Sequence, residues 1–125
     1  CLLPELTVGE NVDLPRRLGV PDARPARAVM DRLGIADLFD RAPGEVSLGE
    51  QQRAAVARAL VTSSSFVVAD EPTSHQDEVS ARRVVAALVD AADGGSCVLA
   101  ATHDLRVLEA CGRVLHIRDG AVRDG

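Results

Sequence analysis

Asp70 and Glu71 are adjacent carboxylates at the end of the apolar run Phe66-Val67-Val68-Ala69, and Pro72 follows them directly. An apolar run that delivers acids to its carboxyl end matches a strand of an α/β sheet, where ligands gather beyond the strand ends. Along a strand, neighbouring side chains point to opposite faces, so two successive acids serve one ligand only if the backbone turns between them. Pro72 supplies that turn, because it has no N–H to continue a ladder and restricts the residue before it. Asp70 then stays fixed at the strand tip while Glu71 is re-aimed. One carboxylate can hold a metal ion, directly or through water, while the other polarises an attacking water. Taken alone, the same residues also read as a strand ending in a polar turn.

Two further segments carry chemistry. In Ser47-Leu48-Gly49-Glu50-Gln51-Gln52-Arg53, Ser47 and Glu50 have the spacing of a reciprocal helix cap. A helix N-terminus also presents free N–H groups and a positive dipole, which suit a phosphate. Gly49 would permit close backbone approach there, and Gln51, Gln52 and Arg53 add polar donors. As a purely structural device, the same box only starts a helix. Thr102-His103-Asp104 follows a second apolar run, which puts His103 at the same sheet edge as Asp70. A histidine there can donate to a phosphate oxygen or orient a water, or it can simply neighbour a helix cap at Asp104. His75 is expected in an exposed loop after Thr73, and His116 on the polar face of a hairpin without function.

The elements that must position these residues follow from periodicity. Ser47 opens a helix running to about Val61, and Thr62-Ser63-Ser64-Ser65 breaks it. Phe66–Ala69 is expected as a short buried strand. A helix from about Asp77 to Ala92 has the inner stripe Ala81, Val84, Val85 and Leu88 and acids at its positive end. Gly94-Gly95 turns into a second strand, Cys97–Ala101, so the pair forms a βαβ unit with parallel strands and a right-handed crossover. A short helix after Asp104 stops at Gly112. A hairpin follows: Val114–Ile117, a turn at Asp119-Gly120, then Ala121–Arg123. Upstream, residues 1–43 read as helical and loop-rich. Thr7 caps a helix containing Val8 and Val12 that is kinked or ended near Pro15. A second helix is expected from about Asp22, with Pro25 in its first turn, the stripe Ala26, Val29, Met30, Leu33 and a stop at Gly34. Asp37 to Asp40 adds a short turn.

With 125 residues, 46% of them hydrophobic, the chain can build one real core, and with 2% aromatics that core must be aliphatic. The formal charge of −5 argues against a nucleic-acid surface, which needs basic excess. All 14 basic residues are arginine. Cys1, Cys97 and Cys111 form no C-x-x-C pair and read as reduced thiols of a cytosolic protein. No apolar run is long enough to span a bilayer, so a membrane role would go through a partner.

In this order and spacing, the segments resemble the ATP-binding cassette (ABC) ATPases. Val46-Ser47-Leu48-Gly49-Glu50-Gln51-Gln52-Arg53 is similar to their signature motif, LSGGQ or LSGGEQQR. Phe66–Asp70 with Glu71 resembles the Walker B strand and catalytic glutamate, and Ser74-His75-Gln76-Asp77 the D-loop. His103 falls at the H-loop switch histidine. Leu2 to Val12 is similar to the stretch after the Q-loop in exporters of the lipoprotein-release and macrolide-export type. The resemblance implies an α/β fold: a partial P-loop NTPase core, residues 44–125, with parallel strands, a βαβ unit and a C-terminal β-hairpin. Residues 1–43 would be part of the helical subdomain that docks against a transmembrane permease.

It also implies roles. Asp70 would support Mg²⁺, Glu71 polarise the hydrolytic water and His103 contact the γ-phosphate of ATP. Ser47 and Gly49 would reach ATP held by a second nucleotide-binding domain, with Leu48, Glu50 and Gln51 in the same nucleotide-binding segment, and Asp77 would couple the two sites. The protein would act in the cytoplasm, on the inner face of the membrane through its permease, in export. Departures bear on this. G-x-x-x-x-G-K-[ST] is absent and the chain has no lysine, so it is expected to be the C-terminal portion of such a domain and inactive by itself. Leu48 stands where the signature usually has glycine, and Gln76 where the D-loop usually has leucine. The alternatives are an ABC ATPase that drives no transport, a non-catalytic interaction module, and a metal-dependent hydrolase using Asp70, Glu71, His75 and His103.

Overall fold

Thr7 and Glu10 cap each other's backbone at the start of the first helix, α1 (Val8–Arg17). Its first N–H groups are also taken up, by the carbonyls of Arg41 and Phe39 at 2.8 and 2.9 Å. These data come from a computed structural model that describes residues 2–124; Cys1 lies outside the described residues. α1 runs two residues past Pro15, which costs only the bond from its missing N–H, and the Leu18 N–H still reaches the Leu14 carbonyl at 3.0 Å. Asn11 is buried and acts as a second clasp. Its amide donates to the carbonyls of Leu3, Leu6 and Thr7, and its oxygen accepts from the Leu3 N–H at 2.7 Å.

α2 (Ala26–Arg32) begins four residues later than expected. Asp22 has φ +56 and belongs to the preceding turn, so Pro25 is the N-cap and not a first-turn residue. Gly34 ends the helix at φ +68, the left-handed stop that glycine permits. A single 3₁₀ turn follows at Ala36–Leu38, and another at Pro43–Glu45 leads into α3 (Leu48–Leu60). Val8, Val12, Val29, Met30, Leu33 and Ile35 bury against Ala54, Ala57, Leu60 and Val61 of α3, so one aliphatic core runs across the 43/44 position.

The second half is built on β1 (Phe66–Asp70), α4 (Glu78–Asp93) and β2 (Cys97–Ala101). β1 and β2 are parallel, with Phe66 opposite Cys97 and Asp70 opposite Ala101. α4 buries Ala81, Val84, Ala87, Leu88 and Ala91, and Val85 is only half-buried. β1 is not the buried strand expected from its sequence. Val67 faces the helices, but Phe66, Val68 and Leu99 of β2 are 72%, 74% and 60% exposed on the opposite face. A continuous apolar run signals burial on both sides, and the described residues cover only one. α5 (Leu105–Ala110) leads to a separate hairpin, β3 (Leu115–Arg118) and β4 (Ala121–Asp124), closed by Asp119 and Gly120 at φ +52 and +75. Among the described residues no helix is long and apolar enough to cross a membrane.

Candidate functional site

The parallel register sets the ends of β1 and β2 side by side, and the loops beyond them hold the acid, histidine and threonine side chains singled out in the sequence. Asp70 closes β1 and is exposed. Glu71 continues the ladder by one bond, its N–H donating to the Ala101 carbonyl at 2.8 Å. Its φ is then +45, which turns its side chain away from the strand alternation. A left-handed backbone costs a non-glycine residue about 1–2 kcal/mol and persists only where the surroundings over-determine it.

They do so here. The Glu71 carbonyl accepts from the Ser74 N–H at 3.1 Å, the Ser74 hydroxyl at 3.0 Å and the Gln52 amide. Its carboxylate lies 2.8 Å from Nδ1 of the exposed His103 and accepts from the Thr102 hydroxyl at 3.4 Å. The two strand-end loops thus meet through Glu71 and His103.

A second bridge lies behind the first. The buried Thr73 donates its hydroxyl to Asp104 at 2.6 Å. Arg106 grips the same carboxylate with Nε at 2.9 Å and Nη2 at 2.7 Å. Asp104 also caps α5 by accepting from the Arg106 N–H. Arg106 first, and Thr73 after it, hold the Asp104 carboxyl far below the usual carboxylate range. A depressed native pKa stabilises the fold above the unfolded value of about 3.9, and that stabilisation is lost as pH falls toward the native one. Asp104→Asn is therefore expected to lower the melting temperature at neutral pH, with the gap from wild type closing at about pH 3 and below. Thermal unfolding of both proteins across that range checks it, and a gap independent of pH contradicts it.

The segment from Ser47 to Gln51 forms the N-terminus of α3 and is largely committed to its own helix. The Ser47 hydroxyl accepts from the Glu50 N–H, and the Glu50 carboxylate accepts from the Ser47 N–H and hydroxyl at 2.7 and 2.8 Å. Those bonds, chiefly the one from the Ser47 backbone, lower the Glu50 pKa. The Gln51 amide donates to the carbonyls of Pro43 and Val46. Leu48 is exposed in the first turn, where N–H groups precede the helical ladder. Gly49 is buried: a Cβ there would meet the His75 carbonyl oxygen at 2.6 Å. The space that its missing side chain leaves is taken by the chain's own loop, at φ +58 for His75.

Asp77 caps α4 by accepting from the Ser80 N–H at 2.8 Å, a bond that lowers its pKa. His75 is exposed, as is His116. Among the described residues no group of three or more His, Cys, Asp or Glu side chains is arranged to hold a metal ion, so Asp70, Glu71, His75 and His103 make no such cluster. The donor set fits Mg²⁺, which is held by one or two carboxylates together with water and substrate phosphates rather than by an all-protein cage. Thr73 carries no motif, and Gln52 and Asn11 stand in matched segments without a role of their own. Only the positive φ of Glu71 and the folded loops reveal what Gln52 and Thr73 touch.

This geometry has close counterparts. The fold matches a solved ATP-binding cassette, MJ0796, captured as a dimer in a post-hydrolysis state with ADP and Pi. The TM-score is 0.83 at 31% identity, over 99% of this chain and 58% of that one. The sequence pattern of the ABC transporter family matches residues 1–74. The chain belongs to the ABC transporter family. It is 37% identical, over 97% of its length, to the macrolide export ATP-binding/permease protein MacB of Sodalis glossinidius, of which it spans 19%. It is equally 37% identical to the lipoprotein-releasing system ATP-binding protein LolD of Aquifex aeolicus, of which it spans 56%.

Proposed function

We propose that these 125 residues are the C-terminal part of the ATP-hydrolysing domain of an ABC exporter, with the phosphate-gripping loop supplied by sequence outside them. The observation that carries this reading is the meeting of Glu71 and His103, 2.8 Å apart, beyond the ends of two parallel strands with Asp70 beside them. The uncovered apolar face of Phe66, Val68 and Leu99 supports it too. Burying such side chains is worth about 1.5–3 kcal/mol each, which favours a further layer of the same domain over them.

In the proposed reaction, water attacks the γ-phosphorus of ATP, the bond from that phosphorus to the β–γ bridging oxygen breaks, and ADP and inorganic phosphate leave. Glu71 accepts a hydrogen bond from that water and aims it. His103, tied through Nδ1 to Glu71, offers Nε2 to a phosphate oxygen when doubly protonated or to water when neutral. Asp70 would hold Mg²⁺, which when bound would neutralise charge on the phosphates. Phosphoryl transfer needs little more than such positioning and charge compensation. The α3 terminus, with Ser47, Leu48, Gly49, Glu50 and Gln51, faces ATP on a second nucleotide-binding domain, and Asp77 lies on the route between the sites. Residues 1–43 dock on a transmembrane permease, which holds the protein at the inner face of the membrane.

The complete domain, purified with the sequence that precedes Cys1, is expected to release phosphate from ATP in a Mg²⁺-dependent manner and to stop on chelation. Absence of turnover with ATP and Mg²⁺ contradicts the reading.

A further inference from the structure

The N-terminal half of α3 is fastened to the loop that carries Glu71 by contacts outside the roles given to it above. Gly49 and Gln52 are three residues apart and so share one face of the helix. That face lies against the loop after β1: the backbone of Gly49 against the His75 carbonyl, the amide of Gln52 against the Glu71 carbonyl and the Ser74 hydroxyl. The Gln52 amide oxygen also lies 3.1 Å from the Ser74 hydroxyl oxygen. Gln52 thus reaches from α3 to the backbone of the left-handed Glu71.

We propose that Gln52 is a positioning residue for Glu71, transmitting displacements of the α3 N-terminus to the carboxylate that orients water. This rests on the reading of Glu71 given above. The mechanism is local. The left-handed φ of Glu71 is offset by the bonds to its carbonyl, and Gln52 supplies one from outside the loop. Losing it lets φ relax toward the extended values preferred before proline, which swings the carboxylate away from His103.

The test uses the complete domain and Gln52→Met, which keeps the side-chain volume and removes the donor. Misplacing a reacting group by about 1 Å can cost about 10²-fold. The expected result is a kcat about 10- to 100-fold lower with the ATP KM within about twofold of wild type. Hydrogen exchange of the Ser74 amide, which donates to the same carbonyl, should accelerate while that of α4 stays as it was. Gln52→Glu, which puts an acceptor against the carbonyl, should not rescue the rate. An active wild type together with a Gln52→Met domain of unchanged kcat and unchanged exchange overturns the inference alone. A wild-type domain with no turnover overturns the reading beneath it.

Discussion

Glu71→Gln in the complete domain should leave ATP binding near wild type and remove most turnover. The amide keeps the size of the carboxylate, and its oxygen can still accept from the Thr102 hydroxyl. It lacks the negative charge that polarises a water, and one of its faces becomes a donor. A positioned acid or base contributes about 10²–10⁴-fold to a rate, so kcat should fall by about that factor. Binding depends on other groups and should not follow. Equilibrium binding of ATP alongside steady-state phosphate release separates the two, and a variant that turns over normally removes Glu71 from its role.

The 125-residue chain on its own should neither bind ATP tightly nor hydrolyse it. A triphosphate needs compensating positive charge and converging N–H groups, which a glycine-rich loop with its lysine provides. This chain has no lysine and a formal charge of −5. Arg106, which lines the same cleft as Glu71 and His103, is already bound to Asp104 at 2.7 Å. Asp70 and Glu71 confront the same anion. Binding is expected to be weaker than about 1 mM, with no measurable turnover, in a sample shown by circular dichroism to be folded. Robust hydrolysis of ATP by that sample would contradict the division of labour between the two parts of the domain.

Much of this architecture is legible in the sequence because it is local. Thr7, Ser47, Asp77 and Asp104 stand at the helix starts they cap. Asp119-Gly120 closes the hairpin it marks, and Cys97–Ala101 is the strand expected there. The placement of Asp70, Glu71 and His103 at one edge follows from parallel strands of equal length.

What escapes is non-local. The bond from Gln52 to Glu71 spans 19 residues and that from Thr73 to Asp104 spans 31, and no periodicity encodes either. Gly49 illustrates the ambiguity of glycine: the sequence fits close approach of a phosphate, and within this chain a carbonyl of its own loop also comes close. Asp22 reads as a helix start and sits at a left-handed turn. Phe66-Val67-Val68 reads as buried on both sides, yet only Val67 is covered by the residues described.

In the proposed reaction the carboxylate of Glu71, held against His103 at the strand ends, drives attack of water on ATP. Single-turnover hydrolysis tests it most directly: the complete domain is loaded with ATP, Mg²⁺ is added and phosphate is counted against time. Phosphate should form rapidly in the wild type, and Glu71→Gln should retain ATP and hydrolyse it about 10²–10⁴-fold more slowly. Equal single-turnover rates in the two proteins would contradict it.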